Sequence, residues 1–190
     1  MKRPSRKVLA FITAALLNVG VLGLGAGQVA AGSGLTQWSW AASGYYPSTT
    51  SYKYSNISGM WQVVLAGFGC MKHVDGIFGS ATQSVTNIVQ GTMGVPQTGA
   101  ADSTSWSTAQ SFPGEGGGLA LHPNGVTGYS YTQYVYSPGG SAGLFQYSSY
   151  LQQWQFDANV DGQGTNPAWF LATPSRTMGS SNGQPSCPVG

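Results

Sequence analysis

"VDGIFGSATQSV", residues 74–85, compresses an Asp-Gly pair, two apolar residues, a second glycine and the start of a helical pattern into one short stretch. Asp75-Gly76 reads as a tight turn: the carboxylate accepts backbone N–H groups, and glycine takes a positive φ without a Cβ clash. Ile77 and Phe78 then return to a small core, and Gly79 lets the chain turn closely. Ser80 and Gln83 have the S-x-x-Q spacing of a capping box. Ala81, Val85, Ile88 and Val89 form the buried stripe of the helix that follows, which Gly91, Gly94 and Pro96 end. Upstream, Ile57, Trp61, Val64, Leu65 and Phe68 fall at helical spacing, with Ser58 as N-cap and Gly69 as stop. Downstream, Asp102 caps a short third helix that carries Trp106 and Ala109.

The order Gln62, Leu65, Gly69, Asp75-Gly76-Ile77-Phe78-Gly79, Thr82, Gln90, Gly94-Val95 and Trp106 resembles the peptidoglycan-binding domain family, a small three-helix module attached to many bacterial cell-wall hydrolases. The resemblance covers about fifty residues, 57–110, and its most specific part is D-G-x-x-G-x-x-T followed eight residues later by Gln. The second half departs from the family. A repeated Asp-Gly turn and a Gly-Pro before a final Thr-Trp are usual there, whereas this chain has Thr98-Gly99, Ala101-Asp102 and Ser105-Trp106. Ser80 also stands where the family usually has Pro. The resemblance implies noncovalent attachment to the glycan or stem peptide of peptidoglycan. Gln62, Asp75, Thr82 and Gln90 would be polar contacts, and Phe78 or Trp106 an aromatic platform. Each has a competing role inside the module, and for Phe78 and Trp106 core packing is the favoured one.

The chain begins with Lys2, Arg3, Arg6 and Lys7, an apolar run to about residue 24, and small residues ending in Val29-Ala30-Ala31. That is the layout of a secretory signal peptide over residues 1–31, with an uncleaved anchor as the alternative. Without it, Lys53, Lys72 and Arg176 face Asp75, Asp102, Glu115, Asp157 and Asp161, a net charge of −2 against the +2 of the whole chain. The basic balance thus belongs to the leader and gives no support to nucleic-acid or anionic-surface binding. No second long apolar stretch suggests a membrane domain. In an exported chain Cys70 and Cys187 pair by default, the alternatives being two free thiols or a link to another chain.

Residues 32–56 are small, polar and aromatic without sustained periodicity, and read as a linker or irregular arm. Its Trp38, Trp40, Tyr45 and Tyr46 can stack on a ligand or cover a neighbouring domain. After the helical module (57–112), residues 113–190 open with "PGEGGG" and continue as aromatic runs between turn signals. "YSYTQYVY", "LFQYSSYLQQWQF" and "AWFLA" read as strands, the first two each with one slip of phase that a bulge explains. The fold class is α+β: a three-helix module, then a β-rich unit of no recognised family. Asp157-x-Asn159-x-Asp161-Gly162 fits half of a calcium loop or an ordinary turn, and Ala168 stands where the bidentate Glu would be. No cofactor is expected.

Catalysis finds little support. His73 and His122 are far apart, and Glu115 sits in a glycine-rich stretch unsuited to a positioned acid. Cys187, near the chain end, lacks the context of a thiol enzyme. The sequence therefore points to a secreted, non-catalytic, wall-associated protein that binds peptidoglycan by neutral contacts. The alternatives are a secreted structural or interaction protein whose module has lost wall affinity, and, with weaker support, a cell-wall hydrolase.

Overall fold

A computed structural model describes residues 39–72, 74–112, 120–121, 131–139, 143–148, 150–160, 169–179 and 187. The expected leader (1–31), Trp38, His73, Glu115, His122, Asp161 and Ala168 lie outside the described residues.

Helix α1 (Asn56–Gly67) decides the architecture, because all twelve of its residues are buried. A surface helix hides one stripe, and a helix hidden all round needs a neighbour on each side. On one side lie α2 (Ser80–Met93) and α3 (Ser103–Ser111). On the other lies a five-stranded antiparallel sheet whose strands follow chain order: β1 (Ala120–Leu121), β2 (Tyr131–Tyr136), β3 (Gly143–Ser148), β4 (Gln153–Asp157) and β5 (Trp169–Leu171). The class is α+β, helices first.

Register lines up Tyr134, Phe145, Phe156 and Phe170 across four neighbouring strands on one sheet face. That face meets α1 at glycines. A Cβ on Gly67 would lie 2.5 Å from Tyr136 Cδ1, and one on Gly143 2.8 Å from Val63 Cγ1. Gly59 likewise admits Met178 and Phe156. Such close packing removes apolar surface from both layers at about 25 cal/mol per Å².

Trp40 ties the layers together. It is fully buried, with its ring 5.5 Å from Trp106, 5.2 Å from Phe145 and 5.6 Å from Trp154. The stretch expected to be an arm thus supplies the centre of the core, and residues 57–112 and the strands share one contiguous hydrophobic cluster instead of two. Trp40 Nε1 and the Tyr136 hydroxyl have no hydrogen-bond partner among the described residues. Burial pushes the Tyr136 phenol well above its usual pKa.

Several local expectations change. Ser55, not Ser58, caps α1, accepting the Ser58 N–H at 3.0 Å. Gly79 caps α2 with no side-chain bond, so Ser80 and Gln83 make no capping box. The buried stripe of α2 is Thr82, Val85, Thr86, Val89, Gln90 and Met93, while Ala81 is exposed and Ile88 is 52% exposed. The stripe is rotated because three polar residues turn inward and find partners there. Asp102 caps α3 as expected, accepting the Ser105 N–H at 2.8 Å.

In the sheet, "LFQYSSYLQQWQF" is not one bulged strand but the β3–β4 hairpin, and its slip of phase is the turn. The turn uses a hydroxyl and a left-handed residue in place of glycine: Ser148 Oγ accepts the Leu151 N–H at 2.9 Å, and Gln152 has φ 52°. The β2 register runs unbroken from Tyr131 to Tyr136. Cys70 and Cys187 are disulfide-bonded across a sequence separation of 117.

Candidate functional site

The resemblance singles out residues on α1, α2, α3 and the two turns between them, and the structure joins these into two similar hydrogen-bonded clamps. In the first, buried Gln62 points from α1 at the Asp75-Gly76 turn. Its Oε1 accepts the N–H groups of Asp75 and Gly76, both at 2.9 Å. Its Nε2 donates to Asp75 Oδ1 at 2.7 Å, to the Ile77 carbonyl at 3.1 Å and to Thr82 Oγ1 at 3.4 Å. Asp75 Oδ1 also accepts the Ile77 N–H at 2.8 Å, and Gly76 takes φ 70°. Every hydrogen-bonding position of the Gln62 amide is occupied.

The second clamp repeats this pattern from α2. Gln90 Oε1 accepts the Gly99 N–H at 2.9 Å. Its Nε2 donates to Thr98 Oγ1 at 3.0 Å, to the Ala100 carbonyl at 2.8 Å and to Ser105 Oγ at 2.8 Å. Thr98 takes the place of Asp75, Gly99 (φ 67°) that of Gly76, and Ser105 that of Thr82. The half of the motif that departs from the family in its letters keeps the same geometry. The signal was present as Gln90 followed eight residues later by Thr98-Gly99 and seven residues after that by Ser105, the same spacing as Asp75-Gly76 to Thr82.

These clamps account for the polar members of the expected ligand set. Gln62, Thr82 and Gln90 are buried with internal partners, and Asp75 is half-buried. Phe78 and Trp106 are fully buried. Trp106 stands edge-on to Trp61 at 4.8 Å and donates its indole N–H to the Tyr45 carbonyl at 3.1 Å. A side chain with no open surface meets no ligand in this conformation. What these residues do is position backbone.

The backbone they position is residues 45–55, part of the stretch that the sequence reads as a linker or irregular arm. Its Pro47 carbonyl accepts the Ala101 N–H at 2.9 Å, beside the second clamp. Its Lys53 carbonyl accepts the Phe78 N–H at 2.7 Å and its Ser55 N–H donates to the Gly76 carbonyl at 3.0 Å, both at the first. This strap carries Tyr52 (39% exposed) and Tyr54 (60% exposed), two of the few large apolar or aromatic side chains open to solvent among the described residues.

Among the described residues, the C-terminal stretch covers the first clamp only. Arg176 Nε donates to the Asp75 carbonyl at 2.8 Å, and Met178 Sδ would lie 3.2 Å from a Cβ on Gly76. Residues 173–177 also serve the N-terminus of α1: the Thr173 and Ser175 carbonyls accept the N–H groups of Ile57 and Asn56.

Asp157 is buried and accepts the Asn159 N–H at 2.9 Å, the bond of an Asx turn, while Asp161 lies outside the described residues. Among the described residues no group of three or more His, Cys, Asp and Glu stands close enough to hold a metal ion, and no helix is long and apolar enough to cross a membrane. Compared with protein-family models, curated proteins and solved structures, the chain matches none.

Proposed function

We propose that this is an exported, non-catalytic protein that binds peptidoglycan noncovalently through its helical part, with the sheet serving adhesion, wall structure or presentation to another protein. The observation that carries the reading is the double clamp. The residues on which the peptidoglycan-binding resemblance rests form connected units, and the half that departs in sequence forms the same unit as the half that matches. The chemistry suits a largely neutral polymer, because residues 39–112 carry only Lys53, Lys72, Asp75 and Asp102 besides His73. The non-catalytic part of the reading draws on how the acids are used. Asp75, Asp102 and Asp157 each accept a backbone N–H within a turn or cap.

Burial of the expected contact residues favours a second reading, a secreted structural or interaction protein whose helical part lacks wall affinity. Sedimentation of the full chain with insoluble peptidoglycan sacculi separates the two. Wall binding predicts co-sedimentation, and a chain left wholly in the supernatant selects the second reading. The full chain is required, because α1 is covered by the sheet as well as by the other helices.

A further inference from the structure

The structure assigns a carbohydrate-contact site to the strap at Tyr52 and Tyr54, with the rings of a β-linked N-acetylated amino-sugar polymer as its ligand; the assignment rests on the wall-binding reading above. Three observations converge on it. The strap is fixed at both ends by the clamped turns, so its tyrosines are presented by a rigid support. Tyr52 holds φ 48°, a left-handed backbone that a bulky residue adopts only under constraint. Two hydroxyls supply that constraint: Ser55 Oγ and Ser58 Oγ each donate to the Tyr52 carbonyl, at 2.6 and 2.5 Å. Glycine would take this conformation without strain, so its absence marks a side chain kept for another purpose.

The surroundings select the ligand class. Tyr52 leans edge-on against Tyr45 at 5.3 Å, which orients its ring, and the preceding turn carries the exposed hydroxyl residues Thr50 and Ser51. Lys53, its Nζ 5.2 Å from the Tyr54 ring centre, is the one charged group between residues 39 and 71. The oriented Tyr52 ring, with the exposed Tyr54 two residues on and Lys53 over one side of its ring, matches sugar rings, whose C–H groups pack on aromatic faces while their hydroxyl and amide groups hydrogen-bond at the edge. A nucleic acid or acidic surface would need a cluster of cations.

The test is sedimentation of the full chain with peptidoglycan sacculi and, separately, with chitin particles, which share the amino-sugar backbone and lack stem peptides. Wild type is expected to bind both. Tyr52→Ala/Tyr54→Ala is expected to lose about tenfold or more in affinity for each. Tyr54→Phe, which keeps the ring, and Tyr150→Ala, which removes an 81% exposed tyrosine elsewhere, are expected to bind as wild type does. Tyr52→Gly guards against misfolding: its melting temperature should stay within about 3 °C of wild type while binding falls. Undiminished binding by the double variant overturns the site and leaves the wall reading standing. Binding to sacculi but not chitin overturns the sugar assignment in favour of the stem peptide. Tyrosine-dependent binding to chitin alone keeps the site and removes the wall reading. Failure of wild type on both supports removes both, and tyrosine-dependent self-association on a sizing column makes the patch an interface between copies and overturns the site.

Discussion

The two clamps have one geometry and two chemistries. Around Gln62 the turn carries a carboxylate, lies under the C-terminal stretch and places two backbone N–H groups on one amide oxygen. Around Gln90 the turn carries the Thr98 hydroxyl, and Oε1 holds the Gly99 N–H. The acid of the second half has moved to Asp102, where it caps α3 and accepts from Thr98 Oγ1 at 3.0 Å. What the pair has in common is a buried amide, which donates and accepts at once, aimed at a glycine turn. Asp or Thr serves equally at the first turn position, because either oxygen can accept the N–H two residues on.

The largest expected effect comes from the covering that, among the described residues, one clamp has and the other lacks. Reducing Cys70–Cys187, which closes a loop with a sequence separation of 117, should remove up to about 5 kcal/mol in the chain-entropy description. It should also speed amide exchange at Gly76 more than at Gly99, because Arg176 and Met178 lie on the stretch leading to Cys187. Denaturant unfolding with and without reductant measures the first effect and hydrogen exchange the second; equal acceleration at both glycines breaks the asymmetry.

Next come the amides themselves. Gln62→Leu strands two N–H groups and should cost about 3–5 kcal/mol, against about 2–3 kcal/mol for Gln90→Leu, which strands one. The reverse order in urea melts would mean that the second clamp carries more of the fold. The smallest difference lies in the glycines. Gly76→Ala sets a Cβ 2.9 Å from the Ser55 carbonyl oxygen, whereas Gly99→Ala meets the movable Gln83 side chain at 2.8 Å. Both keep a positive φ, so about 1 kcal/mol of strain is shared and the first should cost about 1–2 kcal/mol more.

Periodicity and turn chemistry reveal the three helices, the Asp75-Gly76 turn, the Asp102 cap and the α+β order, because each depends on neighbours a few residues away. The β3–β4 hairpin escaped that reading because its turn is built from Ser148 and Gln152, without the glycine, proline or asparagine that normally announces one. The inward rotation of α2 escaped it as well. Thr82, Thr86 and Gln90 look like surface residues until the partners that satisfy them are known.

By itself the sequence determined which segments coil, that Gly94 ends α2, though not that α2 runs through Gly91, and that a glycine must follow Asp75, since these are contests between local backbone conformations. Only the tertiary structure decided that Trp40 is core, that helices and sheet enclose α1 from both sides, and that the glutamines face turns instead of solvent. Burial and hydrogen-bond partnership are properties of what the rest of the chain brings alongside a residue, and no stretch of sequence contains its own surroundings.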